Sequence, residues 1–354
     1  MKKAHHGRKP RRTMTIAGEV LLSRAYFRCV KCGNGGYAAD ERLGVDGRFS
    51  SGVQRLACLA AASCSFDISS QRLEEFCGVR IADNSIREVA QNHGAKMSAW
   101  QNSAPEACRE FREADGEPEF TTDGTSVNTT SGWREMKVGI FAKREAGAPA
   151  TVDEWASRSL PTPTSRVAFC AIEKSHRFGR RWKQWARRLG ILDTSNVTVI
   201  ADGARWIWEE SLNHLRGAAG VLDIFHAIEH LADAGRALFG EGTGEAAEWL
   251  DESSRVLISS CWPGVSTHIR RTLKSVRSHH KPKKLTELLN YFASHVDHLD
   301  YESRLAAGRS IGSGVVEGAC KNLIGRRLKQ CGVRWKVRRV NRMAGLCSLM
   351  YSQN

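Results

Sequence analysis

No apolar run in this sequence approaches the ~18 residues that a transmembrane helix needs, and no basic amphipathic helix stands alone at a terminus. A membrane reading is therefore weak. The basic opening, MKKAHHGRKPRRTM, is followed by no apolar stretch, so no secretory leader is expected and the reading is cytoplasmic. A disulfide framework is missing too. Eleven cysteines is an odd number, and Cys58, Cys64, Cys77, Cys170, Cys320 and Cys347 fall inside apolar patterns, as small hydrophobes do. Acids are in short supply, 38 against 53 Lys and Arg, and the resulting charge of +15 favours a polyanionic partner, nucleic acid first. What is present is enough for real cores: 354 residues at 41% hydrophobic content allow two or more domains.

Along the chain, residues 1–50 read as a basic arm followed by a short β segment with a C-x-x-C turn, Cys29 and Cys32. A tetrahedral zinc needs four ligands, and only two are visible; His5 and His6 could complete a site, and a metal-free reduced turn is the alternative. Residues 51–115 read as helical. Val53, Leu56, Ala57 and Ala60 form one stripe, and a helix is predicted from Ser85, with Glu88 completing a capping box, to Gly94. Three short helices with a turn before the last suggest a helix-turn-helix module; an ordinary helical linker fits as well.

From residue 116 the pattern becomes α/β. EFTTDGTSV, WREMKVGIFAKRE and SRVAFCAIEK read as three strands, RFGRRWKQWARRLG as a helix ending at Gly190, NVTVIADG as a fourth strand, and GVLDIFHAIEHL as a fifth that turns into helix. That order is the order of the ribonuclease H-like fold. It divides the chain into a first catalytic part, 116–231, an all-helical insertion, 232–305, and a closing part, 306–354. In the last of these, Lys321 to Arg342 holds nine Lys and Arg and no acid. Such a run is often only a solvated face. In a chain this basic, Lys321, Arg326, Arg327, Lys329, Arg334, Lys336, Arg338 and Arg339 are expected to contact DNA phosphates.

The chemistry-bearing candidates are acids. Of four Asp-Gly pairs, the one at Asp202 is followed by a helix-like pattern, so it is no hairpin turn, and it ends a strand where open α/β sheets bind ligands. In ribonuclease H-like enzymes that cut and join DNA, the first strand, the fourth strand and a late helix each deliver a carboxylate to one point. Asp123, Asp202 and Glu317 fill those three slots. Hard oxygen ligands suit Mg²⁺ or Mn²⁺, and two such ions stabilise attacking and leaving oxygens of an in-line phosphodiester displacement. Each acid also has a dull reading: Asp123 as a hairpin turn, Glu317 as a helix N-terminal charge or a partner for Lys321. Gly124, Gly203 and Gly318 beside them would leave room for a phosphate backbone. Asp223 and His226, after the fifth strand, read either as a cap and a half-buried histidine or, beside a metal site, as groups that orient the reaction.

TTDGTSVN, VIADGARWIW, LDIFHAIEHL and GSGVVEGACKNLIGRRLKQ together resemble the catalytic blocks of the ISKra-type bacterial insertion-sequence transposases, relatives of the Mutator-like DDE transposases, over about residues 15–345. The resemblance implies that Asp123, Asp202 and Glu317 are the metal-binding triad, that Asp223 and His226 are the D-x-x-H element, and that a helical insertion follows. It implies a homo-oligomer acting on terminal inverted repeats and target DNA near the nucleoid. Proteins of this type carry a further C-x-x-C upstream that completes a zinc ribbon, so a shortened N-terminus is expected here. The other readings are a decayed or repurposed DNA-binding protein without catalysis, and a structure-selective nuclease.

Overall fold

A computed structural model describes residues 3–192, 196–275, 281–330 and 332–352. The fold is mixed α/β and divides into two compact units. One comprises Met1–Ala99, Asn128–Ser131 and Leu323–Cys347; the other comprises Trp100–Val127, Gly132–Asn322 and Ser348–Asn354.

In the first unit, β1 (Lys3–Thr15) and β2 (Gly18–Cys29) form a long antiparallel hairpin. β3 (Gly35–Tyr37), the short helix α1 (Ala38–Arg42), β4 (Val45–Asp46) and β5 (Phe49–Ser50) follow, giving a sheet ordered β3-β2-β1-β5-β4. The segment expected as a basic arm is thus a strand. It has no apolar alternation to announce it; its backbone is satisfied by a ladder running from Lys3↔Cys29 to Thr15↔Gly18, while most of its cationic side chains stay in solvent. On β2, by contrast, Arg24 is buried, in an ion pair with Asp40 (2.5 Å) and stacked on Tyr37. Three helices come next: α2 (Ser51–Ser63), N-capped by the Ser50 hydroxyl; α3 (Phe66–Cys77), ended by Gly78 at φ 64°; and α4 (Asp83–Ser103). The last begins two residues before Ser85 and runs through Gly94.

The second unit opens with α5 (Arg109–Glu113). Its sheet consists of β6 (Glu117–Thr129), β7 (Gly132–Arg144), β8 (Ser165–Ala171), β9 (Thr198–Ala201) and β10 (Ala219–Leu222) in the order β10-β9-β6-β7-β8. The first strand in sequence lies at the centre, parallel to the fourth, which is parallel to the fifth; the third is antiparallel to the second. Helices α6 (Ser175–Leu189) and α7 (Arg205–His214) alternate with the late strands. Period-two alternation sends Val199 and Ala201 to one face and Ile200 to the other. On the first face Trp182 is fully buried against Phe120 (4.8 Å between centroids) and Phe178, and its loss to Ala would cost about 3–5 kcal/mol. On the second face Ile200, Val221 and Leu222 pack with α8 (Ile224–Phe239), α9 (Gly244–Ser275), α10 (Lys281–Ala293) and α11 (Tyr301–Ala306). The expected insertion at 232 therefore starts inside α8, and its described residues are mostly helical, with α9 broken at Cys261 (φ 48°) just before Pro263.

The closing segment holds α12 (Gly314–Ala319), a π-helical turn (Cys320–Gly325), α13 (Arg326–Leu328) and α14 (Val337–Ser352). Leu323–Cys347 belongs to the first unit, not to the sheet unit with which residues 306–354 were grouped from sequence. Gly94 explains part of this: a β-carbon there would overlap the Arg342 carbonyl of α14, so the glycine read as a helix stop is a crossing point. Residues 100–115, grouped from sequence with the helices before them, belong to the sheet unit.

Candidate functional site

The parallel ladder of β6 and β9 ends at Thr122↔Ala201, and the next residue on each strand is an aspartate. Asp123 is not a hairpin turn; β6 runs on for six residues and turns at Thr130-Ser131. Asp202 leaves β9 in a local turn in which its Oδ1 accepts the Ala204 N–H (2.9 Å), and its carbonyl accepts the Trp208 indole N–H (3.0 Å). Asp123 Oδ1 accepts the Gly124 N–H (2.5 Å) and Oδ2 accepts the Cys320 thiol (3.6 Å). Burial pushes the Asp123 carboxyl above the ordinary range, the neighbouring Asp202 charge adds to this, and the Gly124 N–H, Cys320 and His226 oppose it. A half-buried pair of carboxylates at the carboxyl ends of adjacent strands is an arrangement that a divalent cation relieves.

Asp223 occupies the equivalent position on β10 and is used differently. Fully buried, it caps α8 by accepting the N–H groups of Phe225 (2.7 Å) and His226 (3.3 Å), and its other oxygen accepts both the Ser313 N–H (2.6 Å) and the Ser313 hydroxyl. It clamps the loop before α12 to the start of α8. His226, in the first turn of α8, is over a third exposed, lies 3.2 Å from Glu229 through Nδ1, and stands close enough to Asp123 to interact with its carboxyl. His230, one turn on, packs against Tyr291 at 4.0 Å, and burial lowers its basicity.

Glu317 lies in the first turn of α12, one turn before Cys320, with its N–H on the Ser313 carbonyl (3.3 Å). Among the described residues its carboxylate makes no ion pair, so pairing with Lys321 does not account for it. Nor, among the described residues, do three or more His, Cys, Asp or Glu side chains converge closely enough to hold a metal. The strand acids stand together; the third acid is on a neighbouring element.

Tyr291 was not a candidate from sequence. It comes from α10, where the pattern is merely helical, and its hydroxyl is buried without a hydrogen-bond partner. Burial, then the charges of Asp202, Asp223 and Glu229, raises its ionisation far above the usual phenol range, so it remains a proton donor. The glycines beside the acids make room for protein rather than for a demonstrated phosphate path. A β-carbon at Gly203 would overlap the Tyr291 ring, and one at Gly124 the Glu135 carboxylate; Gly318 is looser, 3.7 Å from the Tyr351 hydroxyl. Trp206 packs against Trp182 and Trp208 against His298, both as core contacts.

Of the basic residues, Lys321, Arg326, Lys329, Arg334, Lys336, Arg338 and Arg339 are exposed. Arg327 is not. It is 1% exposed, donates to the Ala61 carbonyl and is sandwiched between Phe66 and Trp335 at 4.7 and 5.2 Å, so it holds the first unit together rather than reaching for phosphate. At the C-x-x-C turn, the backbone N–H groups of Cys32 and Lys31 and the Cys32 thiol hydrogen-bond to Cys29 and hold its thiol below the ordinary range, favouring the thiolate. His5 packs on Phe27 instead of joining it, and no third donor of a zinc site converges among the described residues.

No protein-family model matches the chain, and no curated protein matches it.

Proposed function

We propose that this protein is a DDE-type transposase: it binds element-end DNA and uses Asp123, Asp202 and Glu317 for metal-dependent strand cleavage and strand transfer on a ribonuclease H-like domain. The observation that carries the reading is the pair Asp123 and Asp202, one residue beyond the matched ends of the central and fourth strands, in a sheet whose order in sequence terms is 5-4-1-2-3. The resemblance of four sequence blocks to ISKra-type transposases points the same way. Asp123 and Asp202 would hold Mg²⁺ or Mn²⁺ through hard carboxylate oxygens, with Glu317, which does not converge with them among the described residues, as the third acid of the proposed set. The chemistry that such ions supply when bound is charge neutralisation at phosphoryl oxygens and an activated oxygen nucleophile. The protein's own share is positional. Asp223 holds the Ser313 loop, and with it the start of the Glu317 helix, against α8. His226 presents a titratable ring beside Asp123 for the scissile phosphate, and the Tyr291 hydroxyl, which has no protein partner, is a spare donor next to Gly203 and the Asp202 charge. The exposed cations of 321–339 and the helices α2–α4, a candidate helix-turn-helix module, supply duplex affinity. A homo-oligomer on DNA follows from the need to handle two element ends.

The test is a supercoiled plasmid carrying the sequences that flank the protein's own coding region. The wild type should nick it with Mg²⁺. Asp202→Ala should lower the rate at least 100-fold while leaving duplex affinity within about twofold. Cleavage by Asp202→Ala at the wild-type rate would remove the assignment. A second reading, a DNA-binding protein without catalysis, is favoured by one observation: among the described residues no third ligand stands with the two strand acids. A wild type that binds end DNA and never cleaves it decides for that reading.

A further inference from the structure

The second unit also contains a cleft of about 440 Å³ whose lining includes neither Asp123 nor Asp202 and which the proposed chemistry does not use. That volume suits a small organic ligand. Arg144, Arg158 and Arg166 line it together with Trp155, Phe225 and Ser310. Two of the guanidinium groups are only partly engaged: Arg144 with the Pro161 carbonyl and Glu119, Arg166 with the Tyr351 carbonyl (2.7 Å) and the Tyr351 ring. Arg158 has a buried Nη1 with no partner. Ser310 is 2% exposed, and its hydroxyl has no partner either. Buried donors left unmet inside a cleft are costly unless a ligand meets them. Glu119, 6% exposed, pairs with Arg144 at 3.4 Å and also acts on Arg158, and the lining itself holds three arginines and, among the described residues, no acid, so the lining is positively charged. Beside the arginines stand two aromatic rings, Trp155 and a half-exposed Phe225, with centroids 5.9 Å apart. A β-carbon at Gly314 would meet nothing, which leaves that wall open.

Arginines that exceed their acids, an orphan hydroxyl and an aromatic face in one cleft match a nucleotide: phosphate to the guanidinium groups, base to the rings. Phe225 lies between Asp223 and His226 in the chain, so the lining starts at the first turn of the helix that Asp223 caps. We propose that this cleft receives a single unpaired nucleotide of the DNA substrate, its phosphate held by Arg158 with Arg144 and Arg166, its base against Trp155 and Phe225. The inference rests on the DNA-processing reading, but its test requires no cleavage.

The probe is a 20-base-pair duplex ending in one unpaired 3′ 2-aminopurine nucleotide, compared with the blunt duplex in EDTA. The wild type should bind the overhang about tenfold more tightly and quench its fluorescence. Trp155→Ala should lose the quenching, and Arg158→Gln the preference, both with unchanged blunt-duplex affinity. Ser310→Ala removes a hydroxyl with no protein partner; it should weaken overhang binding several-fold without lowering Tm, and it serves if Arg158→Gln fails to fold. Equal wild-type affinity for overhang and blunt duplex overturns the pocket and leaves the transposase reading standing. Failure to bind either duplex overturns both. Free dAMP that binds with Arg158 and Trp155 dependence, while the overhang confers no preference, overturns the DNA assignment in favour of a mononucleotide site.

Discussion

Asp202 and Asp223 end neighbouring parallel strands, each followed directly by a helix, yet they have opposite surroundings. Asp223 is fully buried, and its two oxygens accept four hydrogen bonds. Asp202 accepts one N–H on Oδ1 and sits beside a second carboxylate. The same topological position therefore yields a structural acid when its lone pairs are filled by protein, and a candidate ligand when they are left open. The difference is set by Ser313, which reaches Asp223 from 90 residues away.

The comparison breaks if the two acids respond alike to truncation. Asp223→Ala leaves several buried donors without an acceptor and should cost about 3 kcal/mol or more, read as a shift in urea midpoint at constant slope. Asp202→Ala removes a charge that disfavours Asp123 and should leave stability within about 0.5 kcal/mol, while abolishing Mg²⁺-dependent nicking. A comparable loss of stability in both would show that Asp202 is structural as well.

Arg327 and Arg334 extend the contrast to cations. Arg327→Ala uncovers a cleft between Phe66 and Trp335 and should destabilise the first unit by roughly 3 kcal/mol. Arg334→Ala, at an exposed position, should leave the midpoint unchanged and lower the salt dependence of duplex binding by about one unit of slope. Equal midpoints for the two variants would erase the distinction.

These contrasts mark where sequence stops being legible. β9 and the exit at Asp202 were readable because a β-branched run followed at once by a helix pattern has few meanings, and the succession of strands and helices in the sheet unit was readable from element spacing. β1 was not: its residues are nearly all polar, and pairing with β2, rather than burial, makes it a strand. Arg327 looked like its exposed neighbours because the aromatic ring that buries it from one side, Phe66, lies far away in sequence. Gly94 looked like a helix stop for the same reason, its neighbour being Arg342. Tyr291 carried no signal, since a lone tyrosine on a helical stripe is ordinary core until the acids it faces are known.

Tyr291→Phe sharpens the comparison on the ligand side. The hydroxyl has no protein partner, so removing it should leave Tm unchanged or slightly higher, while the nicking rate falls about tenfold if the donor orients the carboxylates. An unchanged rate would make Tyr291 a packing residue only.

The smallest effect is the most specific to an open acid. An aspartate whose carboxyl is held above its unfolded-state value of about 3.9 costs folding stability as pH rises from that value through the folded one; below it both states are protonated and the cost vanishes. Asp123→Asn should therefore raise Tm modestly at pH 7 and leave it unchanged near pH 3, whereas an acid whose hydrogen bonds favour its charged form would give the opposite order. Divalent cation should reverse the ranking at pH 7, because binding to the folded wild type adds stability that the asparagine variant cannot gain. If Asp123→Asn is less stable than wild type at pH 7 without metal, Asp123 belongs with Asp223 among the structural acids, and the carboxylate pair no longer marks a metal site.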